Sequence, residues 1–172
     1  MAAVSCATAA YPLFKQCDPK WGKDQLGTSL TNTICSAGCL MSSVSMILND
    51  CGKKINEQDI TPQNFNQWLR SYGGYVDGDL LVWGSIKPYG YSFQGKFTDQ
   101  ASIEQYFNNG YAVVLNVNNG GHWVLMTGIS GSQYLVNDAN YDKTGYYKTE
   151  VVNSGVWLKP NDCAKQLETF LE

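Results

Sequence analysis

The chain has 172 residues, of which 44% are hydrophobic and 16% charged, so it can bury one substantial core and is not disordered. Its net charge is −3 and its Lys and Arg residues form no cluster, which excludes an electrostatic nucleic-acid site. No apolar run approaches the roughly 18–20 residues of a membrane span. We expect one domain over residues 1–172, with 1–10 and 163–172 open to interpretation as terminal extensions, and a monomer.

Three helices are predicted from the spacing of apolar residues. Residues 39–48 carry a single apolar stripe, and Gly52 follows closely as a helix stop. Thr61 is an N-cap followed by a proline at the first helical position, and Gly73-Gly74 ends that helix. Residues 99–108 predict a third, shorter helix.

Short β-branched or apolar runs separated by glycine-containing turns dominate the second half of the chain, a pattern typical of antiparallel strands. The predicted strands are Ala112–Val117, His122–Ile129, Tyr134–Asn137, Tyr146–Val152 and Val156–Leu158. Because helices come first and strands afterwards, the predicted fold class is α+β.

The chain contains one histidine, His122. Any imidazole-based catalysis near neutral pH must therefore use it, and zinc sites with two histidines are excluded. The best partner is Cys39, which follows Gly38 at the start of the 39–48 helix, where the positive end of the helix dipole favours a thiolate. The alternatives are a structural cysteine and a hydrogen-bonded interior imidazole.

Asp138 ends the strand after the one that begins with His122. Its carboxylate can orient the imidazole from a neighbouring strand, and the amide of Asn137 competes for that role. Adjacent strand residues face opposite sides, so only one of the two can point at His122. Turn chemistry is the alternative for both residues. Gln16 is a candidate oxyanion-hole donor, together with the backbone N–H of Cys39.

Further motifs accompany these residues. They are Gln16-x-Asp18-Pro19-x-Trp21, Gly38-Cys39 at a helix start, His122-Trp-Val-Leu-Met-Thr-Gly128, a strand ending in Asp138, and Trp68-Leu-Arg-Ser-Tyr-Gly-Gly-Tyr75 followed by Trp83. In this order they resemble the papain-like cysteine peptidases related to the bacteriocin-leader-processing domains, in particular the stand-alone, double-glycine peptidase-like branch. The resemblance covers roughly residues 11–140.

The resemblance implies a papain-like fold in which a helical part carrying the nucleophile packs on an antiparallel sheet. It implies Cys39 as nucleophile, His122 as base, Asp138 as orienter and Gln16 as oxyanion donor, with a thioester intermediate and no cofactor. The expected substrate is a peptide or a cell-wall peptide. A peptidoglycan amidase, an acyl transferase and an inactive binding protein on the same scaffold are the alternatives. The family usually has Asp-Pro where this chain has Asp138-Ala139, which leaves Asn137 open as orienter.

The six cysteines indicate a disulfide-forming compartment, secreted or vacuolar/lysosomal. If Cys39 is free, the remaining five cannot all pair, so two disulfides and one further thiol are expected, with undetermined connectivity. Cys35 is interpreted either as a disulfide partner that pins the nucleophile loop or as a resolving thiol.

The segment Asp138, Asn140, Asp142 has the spacing of the first ligands in a calcium loop. Position six of such a loop is Lys143 rather than glycine, and position twelve is Thr149 rather than glutamate. A solvated hairpin loop is therefore predicted there, and no metal site is expected.

Overall fold

The computed structural model describes residues 10–163. The helices are α1 (Ile34–Ala37), α2 (Cys39–Asp50), α3 (Pro62–Ser71) and α4 (Gln100–Asn108). The strands are β1 (Lys54–Ile55), β2 (Gln58–Asp59), β3 (Tyr75–Val76), β4 (Leu80–Leu81), β5 (Ser92–Gly95), β6 (Ala112–Val117), β7 (His122–Ser130), β8 (Gln133–Asn137), β9 (Gly145–Tyr147) and β10 (Asn153–Leu158). In this part of the chain, no helix has the length and apolar character to traverse a lipid bilayer.

A six-stranded antiparallel sheet forms the centre of the fold, in the order β5-β10-β6-β7-β8-β9. Every residue of β6 is buried, because both faces of this strand are covered. Apolar residues of α2 pack on one face of the sheet, and Ile103 and Phe107 of α4 pack on the other. The predicted α+β class is therefore correct, and the helix α2 that begins with Cys39 lies against the sheet.

The three predicted helices are present. Thr61 caps α3 by accepting a hydrogen bond from the N–H of Asn64, as its sequence position indicates. The strand predicted over Tyr146–Val152 is too long, because β9 ends at Tyr147. Glu150 accepts a hydrogen bond from the N–H of Tyr147 over 2.7 Å, and this contact closes a helical turn in place of further strand.

The one-turn helix α1 is the element next to Cys39 that sequence periodicity does not reveal. Thr33 and Ser36 cap it reciprocally, and the N–H of Gly38 donates to the carbonyl of Ile34 over 2.8 Å. A Cβ atom on Gly38 would lie 2.5 Å from the Ile34 oxygen. Glycine is required here because the backbone turns tightly from α1 into α2.

Gly38→Ala is expected to displace the start of α2, since the new methyl group collides with backbone rather than with a side chain that can move. We expect a loss of stability of about 1–3 kcal/mol, the usual range for overpacking. Urea unfolding of the variant measures it, with Gly84→Ala as control because nothing lies within 4 Å of a Cβ there. Equal stability of the two variants would contradict the steric explanation.

The part of the chain that the structure describes contains two disulfides, Cys17–Cys35 and Cys51–Cys163. Within residues 10–163, Cys39 is the free cysteine. Cys35 is therefore a disulfide partner, and its interpretation as a resolving thiol is wrong. Cys6 and nearly all of the two terminal segments, 1–10 and 163–172, lie outside the described residues.

Candidate active site

His122 is the first residue of β7 and is buried. Its Nε2 atom lies 2.7 Å from Oδ1 of Asp138. In the register of β7 with β8, Leu125 lies opposite Asn137 and Met126 opposite Val136. Since side chains alternate between faces, His122 and Asp138 share the face that carries Met126 and Val136. The two side chains are thus diagonal neighbours on adjacent strands.

The Asp138 carboxylate is surrounded by donors. Oδ1 accepts from the N–H groups of Asn140 and Tyr141 over 2.9 and 3.0 Å, in addition to its contact with His122. Oδ2 accepts from the hydroxyl of Tyr146 over 2.6 Å. Burial alone would raise the pKa of Asp138, but the hydrogen bonds from His122, Tyr146 and the two N–H groups lower that pKa to about 2. The carboxylate is therefore charged throughout the neutral range.

The His122 imidazole has a second partner in Cys39. Burial acts to lower the pKa of His122, but hydrogen bonds to Asp138 and Cys39, and their charges, outweigh it and raise that pKa to about 9. Because Asp138 occupies Nε2, the remaining ring nitrogen, Nδ1, is the one available to the sulfur. At neutral pH the ring is held as an imidazolium between a carboxylate and a sulfur atom.

Cys39 is half-buried and is the first residue of α2. The backbone N–H groups of a helix's first turn have no intrahelical acceptor, so they point a partial positive charge at this end. The ring of Tyr141 stands edge-on beside His122, with centroids 5.2 Å apart, and is 47% exposed. Tyr141 therefore forms part of the wall between the imidazole and solvent.

Asn137 faces the opposite side of the sheet from His122. Its Nδ2 donates to the carbonyls of Tyr11 and Pro12 over 3.2 and 3.1 Å. The structure does not bring this amide to the imidazole. Asn137 instead holds the N-terminal segment at Tyr11 and Pro12 against the sheet.

Gln16 is buried beside α1, in a segment fastened to both halves of the fold. Its Nε2 donates to the carbonyl of Cys35 over 2.6 Å, and its backbone N–H donates to the carbonyl of Ala139 over 2.9 Å. The Cys17–Cys35 disulfide fixes the same segment to the turn that precedes Cys39. The Gln16 side-chain amide is thus held close to the start of α2. The backbone of Gln16 is held by Ala139, the residue after Asp138.

Tyr146 is a site residue that sequence reasoning missed. It lies within a predicted strand, where the alternation of apolar and polar residues indicates that its side chain faces inward. That pattern does not indicate that its hydroxyl contacts the Asp138 carboxylate. Its hydroxyl adds a charge-assisted hydrogen bond to a buried anion, the kind of bond that contributes most to stability.

Tyr146→Phe is expected to lower the free energy of unfolding at pH 7 by about 1–3 kcal/mol, the cost of removing a bond to a buried charge. The pKa of Asp138 should rise from about 2 towards its ordinary value. Stability that depends on the carboxylate is lost as pH falls through the pKa of the folded state, so unfolding in acid should begin at higher pH.

Urea unfolding as a function of pH tests this expectation. Tyr91→Phe is the matched control, because the buried hydroxyl of Tyr91 donates to a backbone carbonyl, that of Ile47, instead of a carboxylate. An equal acid shift in both variants would show that Tyr146 does not act through Asp138.

Comparison with known proteins supports the same assignment of the fold. A double-glycine-motif protease from an AMS/PCAT transporter, solved with its leader peptide, superposes with a TM-score of 0.56 at 16% identity, covering 91% of this chain and 97% of that chain. The peptidase domain of Streptococcus ComA, a bifunctional ABC transporter involved in quorum sensing, gives 0.54 at 13% identity, covering 88% and 100%. These similarities confirm the predicted papain-like α+β fold.

A search of curated protein sequences gives no significant match. The sequence model of the Peptidase_C39-like family, in contrast, matches residues 8–162. This range contains Gln16, Cys39, His122 and Asp138, and it extends the resemblance read from the motifs over almost the whole described structure. The chain therefore belongs to the C39-like peptidase family.

Proposed function

We propose that the protein is a cysteine peptidase that hydrolyses peptide bonds with a Cys39–His122–Asp138 triad. The observation that carries the proposal is the buried His122 ring, whose Nε2 lies 2.7 Å from Asp138 Oδ1 and whose pKa is raised by hydrogen bonds to Asp138 and Cys39. A nucleophile, a base and an orienting group in this order form the arrangement needed for acyl transfer through a covalent intermediate.

Acylation begins when the Cys39 sulfur, deprotonated by His122, attacks the carbonyl carbon of the scissile amide. The developing oxyanion accepts hydrogen bonds from the Cys39 backbone N–H and from Gln16. A side-chain amide has two N–H donors, and the Cys35 carbonyl uses one of those on Gln16, leaving one for the substrate. His122 then gives its proton to the leaving amine, the C–N bond breaks and a thioester remains.

Deacylation repeats these steps with water. Neutral His122 removes a proton from water, whose oxygen attacks the thioester carbon. The C–S bond breaks, the carboxylic acid leaves, and the Cys39–His122 pair is restored. Asp138 keeps the same imidazole nitrogen occupied in both steps, so the ring cannot turn its protonated side away from the reacting atoms.

A peptide is the substrate class that we propose, because a structurally similar protease was solved with a leader peptide bound. The two disulfides support a secreted or vacuolar/lysosomal setting. An ordinary peptide and a cell-wall peptide both offer an amide to the Cys39 sulfur, and a substrate panel distinguishes them.

The test is hydrolysis of a substrate panel by the native chain with its disulfides intact. It consists of casein, a peptide containing a Gly-Gly sequence and cross-linked cell-wall peptide, each with and without hydroxylamine as an acyl acceptor. Cleavage of casein or the Gly-Gly peptide supports a peptidase. Cleavage restricted to cell-wall peptide indicates an amidase, and hydroxamate formation that exceeds hydrolysis indicates a transferase. Iodoacetamide labelling of Cys39 without any turnover would contradict a catalytic role.

A further inference from the structure

The ammonium group of Lys15 lies inside the loop that follows β8. Nζ donates to the carbonyls of Asp138 and Tyr141 over 3.0 and 2.8 Å, and it pairs with the Asp142 carboxylate at 3.3 Å. The loop is the segment whose acidic spacing resembles the start of a calcium loop. A side chain from a distant part of the sequence thus brings a positive charge to this acidic loop.

The same loop conformation orients Asp138. The N–H groups of Asn140 and Tyr141 reach Oδ1 only while the backbone stays curled around the carboxylate. Lys15 binds carbonyls at both ends of this curl, those of Asp138 and Tyr141. The Lys15 ammonium therefore holds the loop through its carbonyl groups, and the Asp138 carboxylate holds the loop through its N–H groups.

Lys15 also adjoins Gln16 in the chain. The Gln16 N–H donates to the carbonyl of Ala139, and the indole N–H of Trp21 donates to the carbonyl of Lys15 over 2.8 Å. The next residue, Cys17, is tied by its disulfide to the turn before Cys39. One short segment thus links the orienting loop on the sheet to the oxyanion donor and the nucleophile helix.

We propose that Lys15 is a positioning residue for catalysis, whose ammonium fixes the Asp138 loop and the Gln16 segment in one mutual arrangement. The inference deepens the proposed function and depends on it. The Lys15 ammonium contacts the loop that follows β8, so its effect reaches the reaction through Asp138 and Gln16. Its contacts in this loop are the carbonyls of Asp138 and Tyr141 and the exposed carboxylate of Asp142.

Lys15→Met keeps the length and apolar stem of the side chain and removes the charge and its donors. We expect kcat per active site to fall about 10- to 100-fold, the scale of a misplacement of about 1 Å in catalytic groups. KM should change less than about threefold, because no binding contact is removed. Lys54→Met is the matched control, since Lys54 pairs with Asp59 in the β1–β2 hairpin and touches no site residue.

The pH profile supplies a readout that a merely structural role would not move. Loosening of the loop withdraws N–H donors from Asp138 and weakens its contact with His122. The pKa of His122 should therefore fall below its native value of about 9, moving the alkaline limb of kcat to lower pH. The other titratable groups that face His122 and Asp138 are Cys39 from α2, Tyr146 from β9 with Lys143 over its ring, and Tyr141.

Active-site titration and near-ultraviolet circular dichroism separate misfolding from mispositioning. If Lys15→Met does not fold, Lys15→Gln, which keeps donors but no charge, takes its place with an expected loss of about fivefold or more. A folded Lys15 variant with native kcat and an unmoved alkaline limb would overturn the inference. Absence of turnover in the native protein would instead reject the proposed function, so the two failures are distinguishable.

Discussion

Cys39→Ala is expected to abolish hydrolysis of every substrate that the native protein cleaves, with a loss of at least about 10³-fold. The reason is chemical, since no other free thiol occurs within residues 10–163 and the only imidazole faces this sulfur. Turnover measured by release of new amino termini checks the expectation. Iodoacetamide labelling followed by peptide mapping identifies the reacting thiol independently of any substrate.

Two controls make the Cys39 experiment specific. Cys6 lies outside the described residues, and Cys6→Ser should leave both the turnover and the labelling of Cys39 intact. Replacement of the pair Cys51 and Cys163 by serine should affect stability rather than kcat, because Cys51 lies at the end of α2 opposite to Cys39. Hydrolysis that survives Cys39→Ala, in protein free of contaminating protease, would reject the proposed mechanism.

Local patterns predict the elements that carry the candidate site. The apolar stripe over 39–48 and the preceding glycine identify α2 and its first residue, because helix periodicity is a property of neighbouring residues. The run beginning at His122 likewise identifies β7. The helix α1 is not predicted from the sequence, because four residues are too few for a periodic signal. The position of β10 between β5 and β6 is not predicted either, because the order of strands in a sheet does not depend on local sequence.

The contacts around Asp138 are the part that sequence could not supply. Lys15 is 123 residues away from Asp138 in the chain, and no local pattern joins the two. The choice between Asn137 and Asp138 depends on a bulge in β7 between Met126 and Gly128. Regular pairing from the turn would place Asn137 opposite Met126, on the His122 face. The extra residue at the bulge reverses which side chains of β8 share a face with His122. Asp138 rather than Asn137 therefore points towards His122.

Asp138→Asn is expected to lower kcat about 10²- to 10⁴-fold, because an amide can hold the ring yet cannot stabilise an imidazolium by charge. The pKa of His122 should fall from about 9, since burial then acts against the charged ring without a carboxylate to oppose it. The His122 contribution to stability is present below the ordinary imidazole pKa and is lost as pH rises through the folded value. In the variant this loss should therefore begin at lower pH.

The single histidine makes the measurement direct, because the C–H signals of only one imidazole ring titrate in a proton NMR experiment on tag-free protein. Asn137→Ala is the matched control: it removes the donor to the Tyr11 and Pro12 carbonyls and should reduce stability while leaving the pKa of His122 near about 9. If Asn137→Ala moved that pKa and Asp138→Asn did not, the orienting role would belong to Asn137. A fall confined to Asp138→Asn, accompanied by loss of kcat, assigns the role to the carboxylate.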